Sequence, residues 1–258
     1  MHSIRNRYFT TCNLQGLFSS ENWTQLKSFS EAQSFEIDKF ISGSTYTDHS
    51  GLTYSKITDH NQSEVFEMLS KEVTSKEPLA VKLKMTQEEF KRNICENLLL
   101  NSHYEDLSLC VYDHEKVVAA FVSVDWKQQH IATPKDHQDF RFWKQKMRPL
   151  MSFILLYNGT NPRNSGEVAH GITSAVLEKY CNQGIAKNAL AIRLAMARAL
   201  GFSTYFCEAG YGQSFAFKVY KHYMEYATEM AFKDFKFQGR NILGQDEGGY
   251  VVFCRDLR

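Results

Sequence analysis

Apolar and polar positions in this chain change period several times, and each change marks an element. Thr53 to Ile57 alternates, as a half-buried strand does. From Asp59 the period lengthens to that of a helix, with Val65, Phe66 and Leu69 on one face. Glu77-Pro78-Leu79 interrupts it, because proline pushes the residue before it out of helical geometry. Thr86-x-x-Glu89 has capping-box spacing, with Phe90, Ile94 and Leu98 following at helical intervals. Leu107 to Tyr112 and Val117 to Trp126 read as a hairpin turning at Asp113 to Lys116. Lys127 to Arg163 is a long insertion, with a helical aromatic stretch from Phe140 to Tyr157 around Pro149. Then come a strand (Val168 to Leu177), an Ala-rich helix (Gly184 to Leu200) closed by Gly201, and a strand (Ser203 to Glu208). A helix (Ser214 to Met224) and two strands, near Ala227 to Phe235 and Tyr250 to Cys254, finish the pattern.

This order predicts an α/β (α+β) fold: a mixed, mostly antiparallel sheet with helices on both faces. The hairpin supplies antiparallel pairs, and Val168 to Glu208 supplies a parallel pair with a right-handed crossover. The expected layout is an N-terminal extension over 1–47 and one domain over 48–258, with a helical insertion at about 127–165. The first twenty residues hold Arg5, Arg7 and several Ser and Thr, and no acid precedes Glu21. A mitochondrial transit peptide has that composition, and so does a loosely docked extension. A cytoplasmic location is expected, with the mitochondrion as the alternative.

Composition narrows the function classes. Of 258 residues, 43% are apolar and 23% charged, as in a folded globular chain. Thirty Lys and Arg stand against 29 Asp and Glu, a net charge of +1. A chain so balanced has no global field to draw it onto nucleic acid or an anionic membrane. The longest apolar stretch, Leu150 to Tyr157, is broken by Ser152 and falls far short of the ~20 residues of a membrane span. Cys12, Cys95, Cys110, Cys181, Cys207 and Cys254 form no C-x-x-C pair, which reads as reduced thiols and no metal site. Neither nucleic acid nor a membrane is an expected partner, and the pattern carries no signal of oligomeric state.

The most informative segment is Val176-Leu-Glu-Lys-Tyr180-Cys-Asn-Gln-Gly184-Ile-Ala186. A strand ends, a short loop follows, and a helix opens at a glycine. Free amides at a helix start, with the helix dipole, attract anions. Gly184 and Ala186 allow close approach, and Lys187 adds positive charge. An ordinary strand-to-helix connection has the same look. Neither a Walker loop nor G-x-G-x-x-G is present.

This turn resembles the acetyl-CoA motif of the GNAT superfamily of N-acetyltransferases. Within it the chain is most similar to the arylalkylamine N-acetyltransferases, from about Tyr54 to Gly239. Glu77-Pro78-Leu79 resembles the Glu-Pro-Leu of the insect-type enzymes, Gly184-Ile185-Ala186 their pyrophosphate turn, and Phe232 to Gly239 their late strand. The helical insertion after the hairpin is similar too. His170 and Cys207-Glu208 resemble the vertebrate type, whose second histidine is Ile172 here. The resemblance implies acetyl transfer from acetyl-CoA, as co-substrate, to a small-molecule amine. It places Ser174, Ala175 and Val176 along the pantetheine arm. Asn182, Gln183, Gly184, Ile185, Ala186 and Lys187 would lie at the pyrophosphate.

The chemistry needs an acceptor for the amine's proton and a donor for the leaving thiolate. Glu77 is the first candidate base, set at a helix break, although most turn glutamates are merely solvated. His170 is the second; on an alternating strand it would share a face with Ile172, Ser174 and Val176. Its plainer reading is a core histidine. Tyr220 is the candidate acid, with Tyr223 as its neighbour, and helix packing is the plainer role for it. Phe140, Phe142, Trp143 and Phe153 either roof an amine pocket or line a core helix. Two further readings stay open: a different acceptor or acyl group, and a GNAT-fold binding module without chemistry. Cys181, where the family has Arg or Gln, and Tyr223-Met224 in place of Gly-Phe favour the module.

Overall fold

The computed structural model describes residues 40–43, 45–96, 103–128, 164–210, 214–244 and 248–258. The insertion at 129–163, with Phe140, Phe142, Trp143 and Phe153, lies outside the described residues, as do Leu98 and the first 39 residues.

Eight strands form one sheet in the order β1-β2-β3-β4-β5-β6-β8-β7. They are β1 (Tyr46–Thr47), β2 (Thr53–Lys56), β3 (Leu109–Asp113), β4 (Lys116–Asp125), β5 (Val168–Val176), β6 (Thr204–Gly210), β7 (Glu225–Ala231) and β8 (Gly249–Asp256). Every neighbouring pair is antiparallel except β5–β6. One face carries α1 (Gln62–Lys76), α2 (Pro78–Lys82) and α3 (Gln87–Phe90). A helical turn, α4 (Tyr104–Leu107), leads into β3. The other face carries α5 (Ile185–Ala199) and α6 (Ser214–Tyr223). This is the mixed sheet with two helical layers that the sequence pattern implied.

Local chemistry explains the element ends. α1 buries Val65, Phe66, Leu69 and Val73 along one stripe. It stops at Glu77, which turns extended (φ −74, ψ 120) ahead of Pro78. The capping box of α3 is closed both ways: Glu89 N donates to Thr86 Oγ1 at 3.1 Å, and Thr86 N to Glu89 Oε2 at 2.8 Å. Beyond Phe90 the helix widens to a π turn over Lys91–Cys95. Two strand ends differ from expectation. The hairpin begins at Leu109, because Tyr104–Leu107 winds into α4. β7 ends at Ala231, because a 3-10 turn over Phe232–Asp234 lets Phe232 and Phe235 both face the core.

The sheet also starts ahead of the expected boundary at residue 48. Tyr46 and Thr47 pair with Tyr54 and Thr53. Asp48 folds the chain back, its Oδ1 accepting from Ser50 N at 2.9 Å and Leu52 N at 3.2 Å. Phe40, 1% exposed, packs with Leu52, Tyr54 and Val111.

The centre of the sheet holds its main irregularity. β4 and β5 pair along their length, but the register runs Ser123↔Gly171 and then Val122↔Thr173. Ile172 is the extra residue, a β-bulge. β5 and β6 pair only from Val168↔Thr204 to Gly171↔Cys207, whereas β6 continues against β8 to Gly210. Beyond Gly171 the two central strands part, and each leaves an unpaired edge. The bulge corrects the simple alternation. His170 lies opposite Val124, on the α1 face, while Ser174 and Val176 lie opposite Phe121 and Ala119, on the α5 face.

Phe40→Ala should lower the unfolding free energy by about 3–5 kcal/mol in urea denaturation. A loss within about 0.5 kcal/mol, usual for a surface site, would show that the segment before β1 is not part of the core.

Candidate active site

The turn between β5 and α5 leaves the first amides of a helix free of helical partners. Gly184 caps α5 in the left-handed region at φ 81, without a side-chain cap, and Asn182 is left-handed as well at φ 62. Asn188 N is the first helix amide to reach a carbonyl, Gly184 O, at 3.0 Å. The amides of Ile185, Ala186 and Lys187 precede it at the positive end of the dipole. A Cβ added at Gly184 would meet nothing within 4 Å, so the space ahead of the helix is open. Asn182, Gln183 and Lys187 are exposed around it, and so is Cys181. The Tyr180 hydroxyl donates to Asp113 Oδ2 at 2.6 Å and ties the turn to the hairpin.

On the α1 face, at the fork, a carboxylate–imidazole cluster is buried. His170 is 1% exposed, and its Nε2 lies 3.0 Å from both oxygens of Glu208. Glu208 stands one position beyond the last β5–β6 rung, so this contact crosses the point where the strands divide. The imidazole stacks on Phe206 at 4.2 Å and meets the Trp126 edge at 5.1 Å. Glu77 reaches the same region from the α1–α2 break. Its Oε2 accepts from Ala80 N at 2.8 Å, while its Oε1 is buried without a hydrogen-bond partner. Burial, together with the nearby Glu208 charge, pushes the Glu77 carboxyl up to about 7. Leu79, Trp126, Phe206, Phe232, Phe235 and Tyr250 form the apolar packing alongside. Sequence reasoning paired Glu77 with His170 and did not assign Glu208, although the Cys207-Glu208 pair was the available signal. Asp125, at the end of β4, accepts from Ser165 Oγ and from Gly166 N, holding the two ends of the insertion together.

The opposite face of the fork is different in kind. Tyr220 is buried on α6, and its polar neighbours are Cys207, Arg193 and Ser174. Burial holds its hydroxyl far above the ordinary phenol range, so it stays protonated at neutral pH. Tyr223 is buried one turn on, with Lys187 Nζ 6.0 Å from its ring. Ser174 is exposed, and Ala175 and Val176 are half-buried along the unpaired edge. The candidate residues thus separate into an acidic group above the sheet, a phenol below it, and an anion turn at the end of β5.

The sequence matches no protein-family model and no curated protein sequence. The fold does match solved structures. One is the C-terminal condensation domain of Ebony in complex with beta-alanyl-dopamine, at TM-score 0.63 and 13% identity over 80% of this chain and 98% of that one. Another is arylalkylamine N-acetyltransferase 2 from Aedes aegypti, at TM-score 0.61 and 14% identity over 80% of this chain and 99% of that one. The chain therefore has a GNAT-like fold, the fold it shares with these two structures.

A carboxyl with a folded pKa of about 7 and an unfolded value of about 4.3 binds more protons folded than unfolded between those limits. Its contribution to stability therefore falls as pH rises across that window, by about 3 kcal/mol in all. Glu77→Gln keeps an acceptor for Ala80 N and removes the titration. Its unfolding free energy relative to wild type should improve by about 3 kcal/mol from about pH 4.5 to about pH 8. Parallel pH profiles would show that Glu77 titrates as an exposed carboxyl does.

Proposed function

We propose that the protein is an N-acyltransferase that moves acetyl from acetyl-CoA to a primary arylalkylamine. The observation that carries this reading is the parting of β5 and β6 between an anion-ready turn and a buried acidic cluster. The unpaired edge at Ser174, Ala175 and Val176 offers backbone groups to the pantetheine amides, as in strand addition. The Gly184 turn, with Asn182, Gln183, Ile185, Ala186 and Lys187, receives the pyrophosphate.

The amine arrives on the other face. An alkyl ammonium has a pKa near 10.4, so about one part in a thousand is free at neutral pH. Glu77, poised at about 7, is suited to take its proton, with His170 and Glu208 beside it to share the charge. An unpaired β5 amide at the fork is suited to the oxygen of the reacting carbonyl. Tyr220 gives a proton to the departing thiolate. Trp126, Phe206, Phe232 and Tyr250 pack together on this face of the sheet, and an aryl group on the amine would dock against them. Consistent with that choice, the similarly folded Ebony domain holds beta-alanyl-dopamine.

Thiol release from acetyl-CoA with a panel of arylalkylamines, polyamines and amino acids tests the reading. Arylalkylamines should turn over best. Binding of acetyl-CoA without transfer to any amine would make the chain a GNAT-fold binding module instead. Glu77→Gln should lower kcat/KM by ~10²-fold or more near neutral pH, with a smaller loss where free amine is abundant. Full activity in both Glu77→Gln and His170→Phe would mean that solvent takes the proton. Gly184→Val should weaken acetyl-CoA binding roughly tenfold or more by calorimetry, about 1.4 kcal/mol. A β-branched residue is strained at φ 81, and its side chain would fill the open space. Unchanged affinity would remove the pyrophosphate assignment.

A further inference from the structure

Arg193 heads the fully buried side chains of the described residues, at 1% exposure in the middle of α5. Among those residues its guanidinium meets no carboxylate. Nη1 donates to Ser123 Oγ at 3.4 Å, and Nε has no acceptor. The group lies over the Phe121 ring at 5.2 Å and near the Tyr205 ring at 5.8 Å. A buried cation without a counter-ion is costly, and an anion forming beside it relieves that cost.

The groups around it are weak acids, all uncharged at rest. Tyr205 Oη shares a hydrogen bond with Ser123 Oγ at 2.8 Å, Cys207 lies on the same strand, and Tyr220 reaches in from α6. Burial raises all three, while the Arg193 charge opposes that rise. The charge of Glu208 reaches Tyr205 and Cys207 from the other face, and Cys254 on β8 reaches Cys207. The cluster sits under the last rung of the β5–β6 pair: a Cβ on Gly171 would lie 3.3 Å from Arg193 Nη1. Tyr220 packs against this cluster with Tyr205 and Cys207, at the last β5–β6 rung.

We infer that Arg193 is a positioning residue for thiol departure: it holds the Tyr220 hydroxyl at the fork and neutralises the negative charge that appears there. The inference rests on the acyl-transfer reading above. When the carbon–sulfur bond breaks, its electron pair stays on sulfur. The Tyr220 proton moves to that sulfur, giving thiol and phenolate. The phenolate faces the guanidinium and regains a proton from solvent. Of the two protons the ammonium nitrogen sheds overall, one balances the thiol and one enters solution. Wherever the shared proton sits, one negative charge lies close to Arg193.

CoA carries the free thiol and acetyl-CoA does not, so the ratio of their affinities isolates the charge on sulfur without any turnover. A thiol with a pKa near 8.5 should let that ratio rise roughly tenfold from about pH 7 to about pH 9 in wild type. Arg193→Met should flatten the rise, and Arg193→Lys should restore part of it. Tyr220→Phe should flatten it too, with Arg193 in place; this arm decides the matter if Arg193→Met does not fold. A flat ratio in wild type, or an undiminished rise in the variants, overturns the inference while acyl-CoA binding stands. A pH-independent loss of affinity for both ligands in the variants also overturns it, since that is what a purely structural arginine would give. A wild type that binds neither ligand overturns the inference and the proposed function together.

Discussion

The end of β5–β6 pairing at the Gly171↔Cys207 rung governs the rest of the molecule. A side chain at Gly171 would crowd its neighbours: a Cβ there would lie 2.6 Å from the Tyr205 hydroxyl and 3.1 Å from Cys207 Cβ. The glycine leaves room for those side chains at the last rung, and the extra residue at Ile172 then bends β5 away. A sheet interior is normally the one place where backbone groups have no choice of partner. Here two central strands enter the middle of the sheet and stop satisfying each other. The resulting fork is an opening lined by backbone donors and acceptors, with a different chemistry on each face.

Opposite charges occupy those faces. Above the sheet, Glu208 meets the His170 imidazole and its charge reaches Glu77, which keeps an unpaired buried oxygen. Burial, with a smaller contribution from the Glu208 charge, favours the proton on Glu77 up to about pH 7. Below the sheet, a guanidinium stands among phenols and a thiol. Each arrangement opposes stability by itself, since buried groups with unmet partners are unfavourable. The surrounding helices supply the compensating apolar burial. α1 packs Val65, Phe66 and Leu69 on one face, and α5 packs Leu190, Ile192 and Leu194 on the other.

Much of the fold was legible because periodicity and capping act locally. α1, α5, the capping box at Thr86 and Glu89, and the turn at Gly184 all follow from residues close in sequence. The features that were not legible depend on pairs of distant segments. His170-Gly-Ile-Thr-Ser-Ala-Val176 alternates well enough to pass for a regular strand, and only its register against Val122 and Ser123 makes Ile172 a bulge. Ser174 therefore changed faces without any local sign. Glu208 ends a short apolar run, where a carboxylate ordinarily meets water. It joins the candidate site because β5–β6 pairing ends one residue short of it and His170 reaches across. Arg193 interrupts an Ala-rich helix, where an arginine ordinarily meets water. It is buried because Gly171, Ser123 and two phenols leave a polar pocket beneath the fork. The start of the sheet at Tyr46 escaped notice because a two-residue strand carries no period at all.

The separation of the two faces has a consequence for proton traffic. In the proposed reaction the Glu77 carboxyl and the Tyr220 phenol serve separate proton transfers, one from the amine and one to the thiolate. Here the sheet stands between them, and the described connection between the faces is the fork itself. In the proposed reaction the acyl group fills that fork, so the route closes when both substrates are seated. The amine's proton then moves only on the Glu77 side, and the thiol's only on the Tyr220 side. Widening the fork by moving the bulge would join the two pools. Closing it by extending β5–β6 pairing past Gly171 would remove the backbone edge that holds the acyl donor. In that reading the position of one extra residue in β5 sets both where the substrates would meet and how their protons would be kept apart.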